Sequence, residues 1–120
     1  MQPIEANDSL FDYRNKNGIG VFRFRDRIEM YHASQIRASV LERVEVDKLR
    51  GLVFSFEDVP YIDSTGVGVF LNLQYRLSDS VPIRLCNLSG NVRDVLTTTN
   101  LLSTFAIDDA LNESLRLISQ

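Results

Sequence analysis

Tryptophan is absent, cysteine and histidine occur once each, and proline occurs three times in 120 residues. A single cysteine, Cys86, excludes an internal disulfide, and its apolar flanks Leu85 and Leu88 suit a buried strand position better than a reactive thiol. A single histidine, His32, excludes a histidine pair around a metal and leaves one ring for any Ser-His or Cys-His catalytic pair. Long apolar runs are also missing. The best of them, Val67 to Leu73, is far too short to span a bilayer, and Met1 to Asp8 holds two acids and no apolar leader. These residues describe a soluble, cytoplasmic chain with no direct membrane insertion. With 13 basic against 16 acidic residues, the net charge is −3, and no basic block is present to follow a nucleic-acid backbone. Nucleic acid is therefore not an expected partner.

What the chain does have is enough apolar content, 44% over 120 residues, to bury one core without disulfides or metals. The expectation is one domain over 1–120, with 1–8 a flexible segment ahead of it. Short extended runs at Ser9 to Tyr13 and Ile19 to Arg25 flank Asn15-Lys16-Asn17-Gly18, and Asn-Gly marks a hairpin because both residues tolerate positive φ. Within the second run Phe22 and Phe24 alternate with Arg23 and Arg25, so one face is apolar and the other solvated. From about Tyr31 to Val46, Ala33, Ile36, Val40, Leu41 and Val44 recur at helical spacing, although the start signal is weak.

Leu52 to Phe56 reads as a strand covered on both faces, at the centre of the sheet. A tight loop and a second helix over Val67 to Leu77 follow Val59-Pro60-Tyr61-Ile62. Ile83 to Leu88 alternates as a further strand, and Ser89 caps a short helix bearing Val92, Val95 and Leu96, closed near Asn100. Thr104 to Ile107 is a short last strand, and Asp108 is expected to cap a final helix with Leu111, Leu115 and Ile118 on one face. Strands alternating with helices after a hairpin imply an α/β fold, with a mixed sheet of four to five strands and about four packed helices.

One segment carries chemistry. Asp63-Ser64-Thr65-Gly66-Val67-Gly68 stands where a strand hands over to a helix, the place where open α/β sheets hold ligands and modifications. With Asp63 as N-cap, the Ser64 hydroxyl lies in the first turn near the positive end of the helix dipole. A phosphoryl group there would add about −1.5 to −2 of charge, which a helix start favours by roughly 0.3–2 kcal/mol. The same charge in the middle of a docking surface costs several kcal/mol of binding, so the modification would act as a release switch. Composition alone favours a plain N-cap and turn. Gly66 and Gly68 would let a foreign active site approach, or would serve simple packing. The segment has neither the lysine nor the long glycine loop of a Walker motif, and no G-x-G-x-x-G. Glu57, Asp58 and Asp63 form only a weak candidate for an acid-base or metal cluster. A flavodoxin-like domain holding a phosphate-bearing cofactor is the enzymatic alternative.

The block from Leu52 to Val69, ending in Asp63-Ser64-Thr65-Gly66-Val67-Gly68-Val69, resembles the signature of STAS domains, typified by bacterial anti-anti-sigma factors. The resemblance extends from about Ser9 to Ile118. It implies a non-enzymatic protein with no cofactor or metal and no catalytic residue, binding an anti-sigma factor that is itself a serine kinase. It places the phosphorylated hydroxyl at Ser64, with Thr65 the second choice and Asp63, Gly66 and Gly68 supporting the site. Phosphorylation would release the partner, and a phosphatase would reset the cycle, so that transcription is regulated. Where relatives often carry Gly-Glu-Leu-Asp, this chain has Asp26-Arg27-Ile28-Glu29, which leaves Glu29, with Val67, as a candidate partner-surface residue. A second departure, Thr99-Asn100 in place of Ser-Gly, is expected to alter only a turn. STAS domains also dock in anion-transport and lipid-transport complexes, the alternative use that the fold leaves open.

Overall fold

The computed structural model of the chain describes residues 10–120. The segment expected to be flexible, 1–8, and Ser9 of the first expected strand lie outside the described residues. Strand β1 (Phe11–Lys16) pairs antiparallel with β2 (Ile19–Arg25), and β2, β3 (Gly51–Asp58), β4 (Ile83–Cys86) and β5 (Ala106–Asp108) run parallel in that order. The hairpin turn is tighter than the four residues expected. Asn15 and Lys16 still pair with Gly20 and Ile19, and only Asn17 (φ 55°) and Gly18 (φ 91°) turn the chain. Positive φ at both central residues is the turn geometry that matches strand twist.

Helix α1 (Met30–Asp47) connects β2 to β3, α2 (Ser64–Leu77) connects β3 to β4, and α3 (Gly90–Thr98) connects β4 to β5. Parallel crossovers are right-handed, and here each steps in the same direction across the sheet, so all three helices must cover one face. Beneath them lies the main core, in which Phe22, Phe24 and Phe54 are fully buried and Phe56 nearly so. Phe70 of α2 inserts among these rings, with centroids 5.2, 5.3 and 5.2 Å from Phe24, Phe54 and Phe56 in edge-to-face geometry. The alternation of Phe22 and Phe24 with Arg23 and Arg25 is therefore expressed as read. Arg23 reaches Asp58 at 2.8 Å and Arg25 reaches Asp12 at 3.0 Å on the other side of the sheet.

The last helix, α4 (Leu111–Ile118), follows β5 and is free of the crossover constraint. It packs Leu111, Leu115 and Ile118 on the opposite face, over Ile19, Val21, Val53 and Cys86. Cys86 is buried as expected, and burial pushes its thiol up from the ordinary range. Asp108 does not cap α4. The N-cap position belongs to Ala110, without a side-chain bond, whereas Asp108 ends β5 opposite Cys86 and is buried. Its carboxylate accepts from Arg84 Nε at 2.7 Å and Nη2 at 3.1 Å, and from Ser114 Oγ at 2.6 Å. A buried strand-end carboxylate beside a partly buried arginine gains more from that ion pair than from exposed helix N–H groups.

Two expected boundaries also move. Strand β4 stops at Cys86, because Asn87 turns into left-handed geometry at φ 57° and its amide donates to the buried Ser55 Oγ at 3.3 Å. Leu102–Thr104 form a 3-10 turn, so β5 begins at Ala106, after Phe105 has dropped into the core. Ser89 caps α3 by accepting from Val92 N–H, and Asn100 closes it at φ 62°, both as the sequence indicates.

Candidate functional site

Between β3 and α2 the chain runs from Val59 to Asp63, pinned on two sides. Ile28, ahead of α1, bridges Ile62 in parallel: Ile28 N–H donates to the Tyr61 carbonyl at 2.9 Å and Asp63 N–H to the Ile28 carbonyl at 3.1 Å. Ile62 N–H donates to Asn91 Oδ1 of α3 at 3.0 Å. Three helix starts thus converge on one turn. Asp63 is the N-cap of α2, with Oδ1 accepting from Gly66 N–H at 2.8 Å, and its other oxygen accepts from Met30 N–H, the first residue of α1, at 3.1 Å.

Ser64 is the first residue of α2, and both it and Thr65 are exposed. The two glycines divide the readings left open by the sequence. A Cβ on Gly66 would lie 2.8–2.9 Å from Ile62 and Ile28, including the Ile28 carbonyl, so this glycine allows close packing of the bridge against α2. A Cβ on Gly68 would meet nothing within 4 Å, so this glycine keeps an open surface one turn beyond Ser64. Val67 is not a surface residue. It is 4% exposed and part of the main core, because α2 turns 66, 67, 69, 70 and 73 inward and leaves 64, 65, 68, 71 and 75 outward.

Glu29 is half-buried at the N-cap position of α1 and is held by Arg27 at 2.9 Å, whose guanidinium lies 4.8 Å from the Tyr61 ring centroid. It therefore sits beside the Asp63 turn, one residue before the N–H that Asp63 accepts. The three carboxylates once grouped together do not converge. Glu57 and Asp58 face Arg23 at 3.6 and 2.8 Å, whereas Asp63 is committed to its two helix N–H groups. Among the described residues, no cluster of three His, Cys, Asp or Glu side chains could hold a metal.

The sequence reading missed the apolar side chains around the turn. Met30 and Tyr31 on α1 and Leu71 and Tyr75 on α2 are exposed, Tyr75 by 88%. Gly68, Leu71, Asn72, Gln74, Tyr75 and Thr104 line a shallow apolar groove of about 480 Å³. The signal was present: positions 64, 68, 71 and 75 share one helix stripe, and carrying the helical period outward from Ser64 finds them.

Residues 11–114 match the STAS domain family. The chain belongs to the STAS domain family. Solved structures agree in fold. A candidate anti-sigma factor antagonist from Thermotoga maritima superposes with a TM-score of 0.84 at 22% identity, covering 92% of this chain and 95% of that one. The Bacillus cell fate determinant SpoIIAA in its phosphorylated form gives 0.70 at 22% identity, over 92% of this chain and 99% of that one. A sulfate transporter family protein from Wolinella succinogenes gives 0.74 at 15% identity, over 88% of each chain. At these identities the likeness is one of fold. This STAS chain has, among its described residues, no helix long and apolar enough to cross a membrane.

Proposed function

We propose that this STAS domain is an anti-sigma factor antagonist, a cytoplasmic and non-enzymatic switch that binds an anti-sigma factor serine kinase and releases it when Ser64 is phosphorylated. The observation that carries the reading is the position of Ser64, an exposed hydroxyl at the first residue of α2, bordered on the same helix by Gly68, Leu71 and Tyr75. An exposed apolar stripe of this kind fits a protein partner, and a hydroxyl at its end is open to that partner's active site. Two relatives in fold support the reading, one a candidate antagonist and the other solved with its phosphate in place.

The chemistry asked of this chain is small. It presents the acceptor oxygen on a rigid helix start, while the nucleotide and the catalytic groups belong to the kinase. Once transferred, a phosphate of about −1.5 to −2 charge rests acceptably at the start of α2 but must be desolvated beneath a docked partner. A phosphatase restores the hydroxyl. The partner's release of a sigma factor, and thus regulated transcription, follows from the same cycle.

Titration of the kinase with full-length variants tests this. Ser64→Ala is expected to bind as tightly as the unmodified protein and Ser64→Asp roughly ten- to a thousand-fold more weakly, the range that several kcal/mol of unfavourable desolvation produces. Equal affinity of the two would sink the switch, and phosphate mapped to Thr65 alone would move its site. The likeness to a sulfate transporter family protein favours a second reading, constitutive docking in a transport complex without a sigma-factor cycle. That reading gains if Ser64 carries no phosphate under any growth condition.

A further inference from the structure

Helix α1 starts beside the Ser64 turn without a cap of its own. Glu29 occupies the N-cap position but its side chain, held by Arg27, makes no capping bond, and the first turn holds no acid. A helix start leaves four N–H groups in need of acceptors. One is satisfied from outside, by Asp63 Oδ2 accepting from Met30 N–H at 3.1 Å, while Oδ1 of the same carboxylate caps α2 through Gly66 N–H at 2.8 Å.

We infer that Asp63 is a positioning residue that couples the charge on Ser64 to the first turn of α1, so that phosphorylation of Ser64 frees Met30 N–H and loosens the turn carrying Met30 and Tyr31. The inference rests on Ser64 being the acceptor and extends the switch to a second helix. A phosphate on Ser64 stands one residue from the Asp63 carboxylate, repels it, and competes for the N–H groups at the start of α2. Asp63 makes two bonds, and they are unequal. The one to Gly66 is local, shorter and partly buried, whereas the one to Met30 is longer and exposed. The longer one yields first. Loosening stops at Ile28, which keeps its backbone bonds to Tyr61 and Asp63. It is confined to a turn that displays Met30, 64% exposed, and Tyr31, 82% exposed. A partner gripping these two side chains then loses an ordered surface at the same time as it meets a new charge.

The test uses the full chain, 15N-labelled, with phosphoserine inserted at position 64 during translation, so that no kinase is required. Relative to the unmodified protein, the Met30 amide proton is expected to move upfield. Exchange of the first-turn amides of α1 is expected to accelerate by roughly two- to thirty-fold, the span that loss of a cap produces. Asp63→Asn keeps an acceptor for Gly66 but turns an amide NH2 toward Met30, so it should show the same Met30 shift without phosphate and no further shift with it. A Met30 amide that phosphoserine leaves in place overturns the inference, as does an equal phosphoserine shift in Asp63→Asn, which would mean that the signal bypasses Asp63. The switch itself is read separately, by kinase binding. Phosphoserine protein that moves Met30 yet binds the kinase undiminished defeats the release reading and leaves this coupling standing.

Discussion

The two faces of the sheet are held by different physics. On one, three helices press onto a continuous aromatic core in which Phe70 touches the rings of Phe24, Phe54 and Phe56. On the other, a single helix covers Ile19, Val21, Val53 and Cys86 and is tied down by the Arg84, Asp108 and Ser114 network. The Ser64 turn belongs wholly to the first face. It rests on the packed Ile62 and Val67, with the Asp63 carboxylate fixing the helix starts above them, whereas the attachment of α4 depends on a partly buried ion pair. The molecule thus keeps its candidate switch on the face held chiefly by apolar packing.

The largest expected effect comes from breaking the aromatic face. Phe70→Ala should destabilise the fold by roughly 3–5 kcal/mol in urea unfolding, because it leaves a cavity between α2 and three rings. It should also shift the amide resonances of Ser64 and Thr65. A loss below about 1 kcal/mol would mean that α2 is held chiefly by its loop and not by its core.

Asp108→Asn probes the other face and should cost about 1–3 kcal/mol at neutral pH, since it leaves Arg84 partly buried without its counterion. The hydrogen bonds from Arg84 hold the Asp108 carboxyl below the usual carboxylate range. Its stabilisation is therefore complete above the unfolded carboxylate value, about pH 4, and is lost as pH falls through the lower folded value. Urea midpoints at pH 7 and pH 3 should differ less in Asp108→Asn than in the parent, and the Ser64 resonances should stay in place. Movement of those resonances would couple the two faces and erase the distinction between them.

The smallest effects mark where the first face ends. Gly66→Ala should destabilise by about 1–3 kcal/mol, because the Ile28 carbonyl cannot give way to the new methyl group. Gly68→Ala, opening onto solvent, should stabilise α2 by roughly 0.5–1 kcal/mol. Thermal unfolding of the pair checks both signs, and a common sign would remove the division between a packed and an open glycine.

Features set by near neighbours in sequence were readable without coordinates. The Asn17-Gly18 turn, the alternation of Phe22 and Phe24, the doubly covered Leu52 to Phe56, the Ser89 cap and the left-handed Asn100 all depend on residues within one turn or one pleat. The placement of Ser64 at the start of α2 was readable for the same reason. What escaped depends on contacts across the fold. Asp108 reads locally as a cap but finds Arg84 across the sheet, 24 residues away in sequence. Met30 finds its acceptor on Asp63, so the weak start signal of α1 was real, and its remedy lay elsewhere. Val67 reads as a candidate partner-surface residue, although helix geometry turns it into the core.

The strands lie across the sheet in the order in which they occur along the chain. During synthesis each new strand therefore meets the edge laid down just before it, and no gap has to be held open for a later arrival. Each closure then spans one hairpin or one crossover and never two, which keeps its entropic cost down. The patch around Val53 and Cys86 must wait, since its cover, α4, follows all five strands in the chain. Until then the nascent domain has one finished side and one sticky one, and the finished side is the one that bears Ser64.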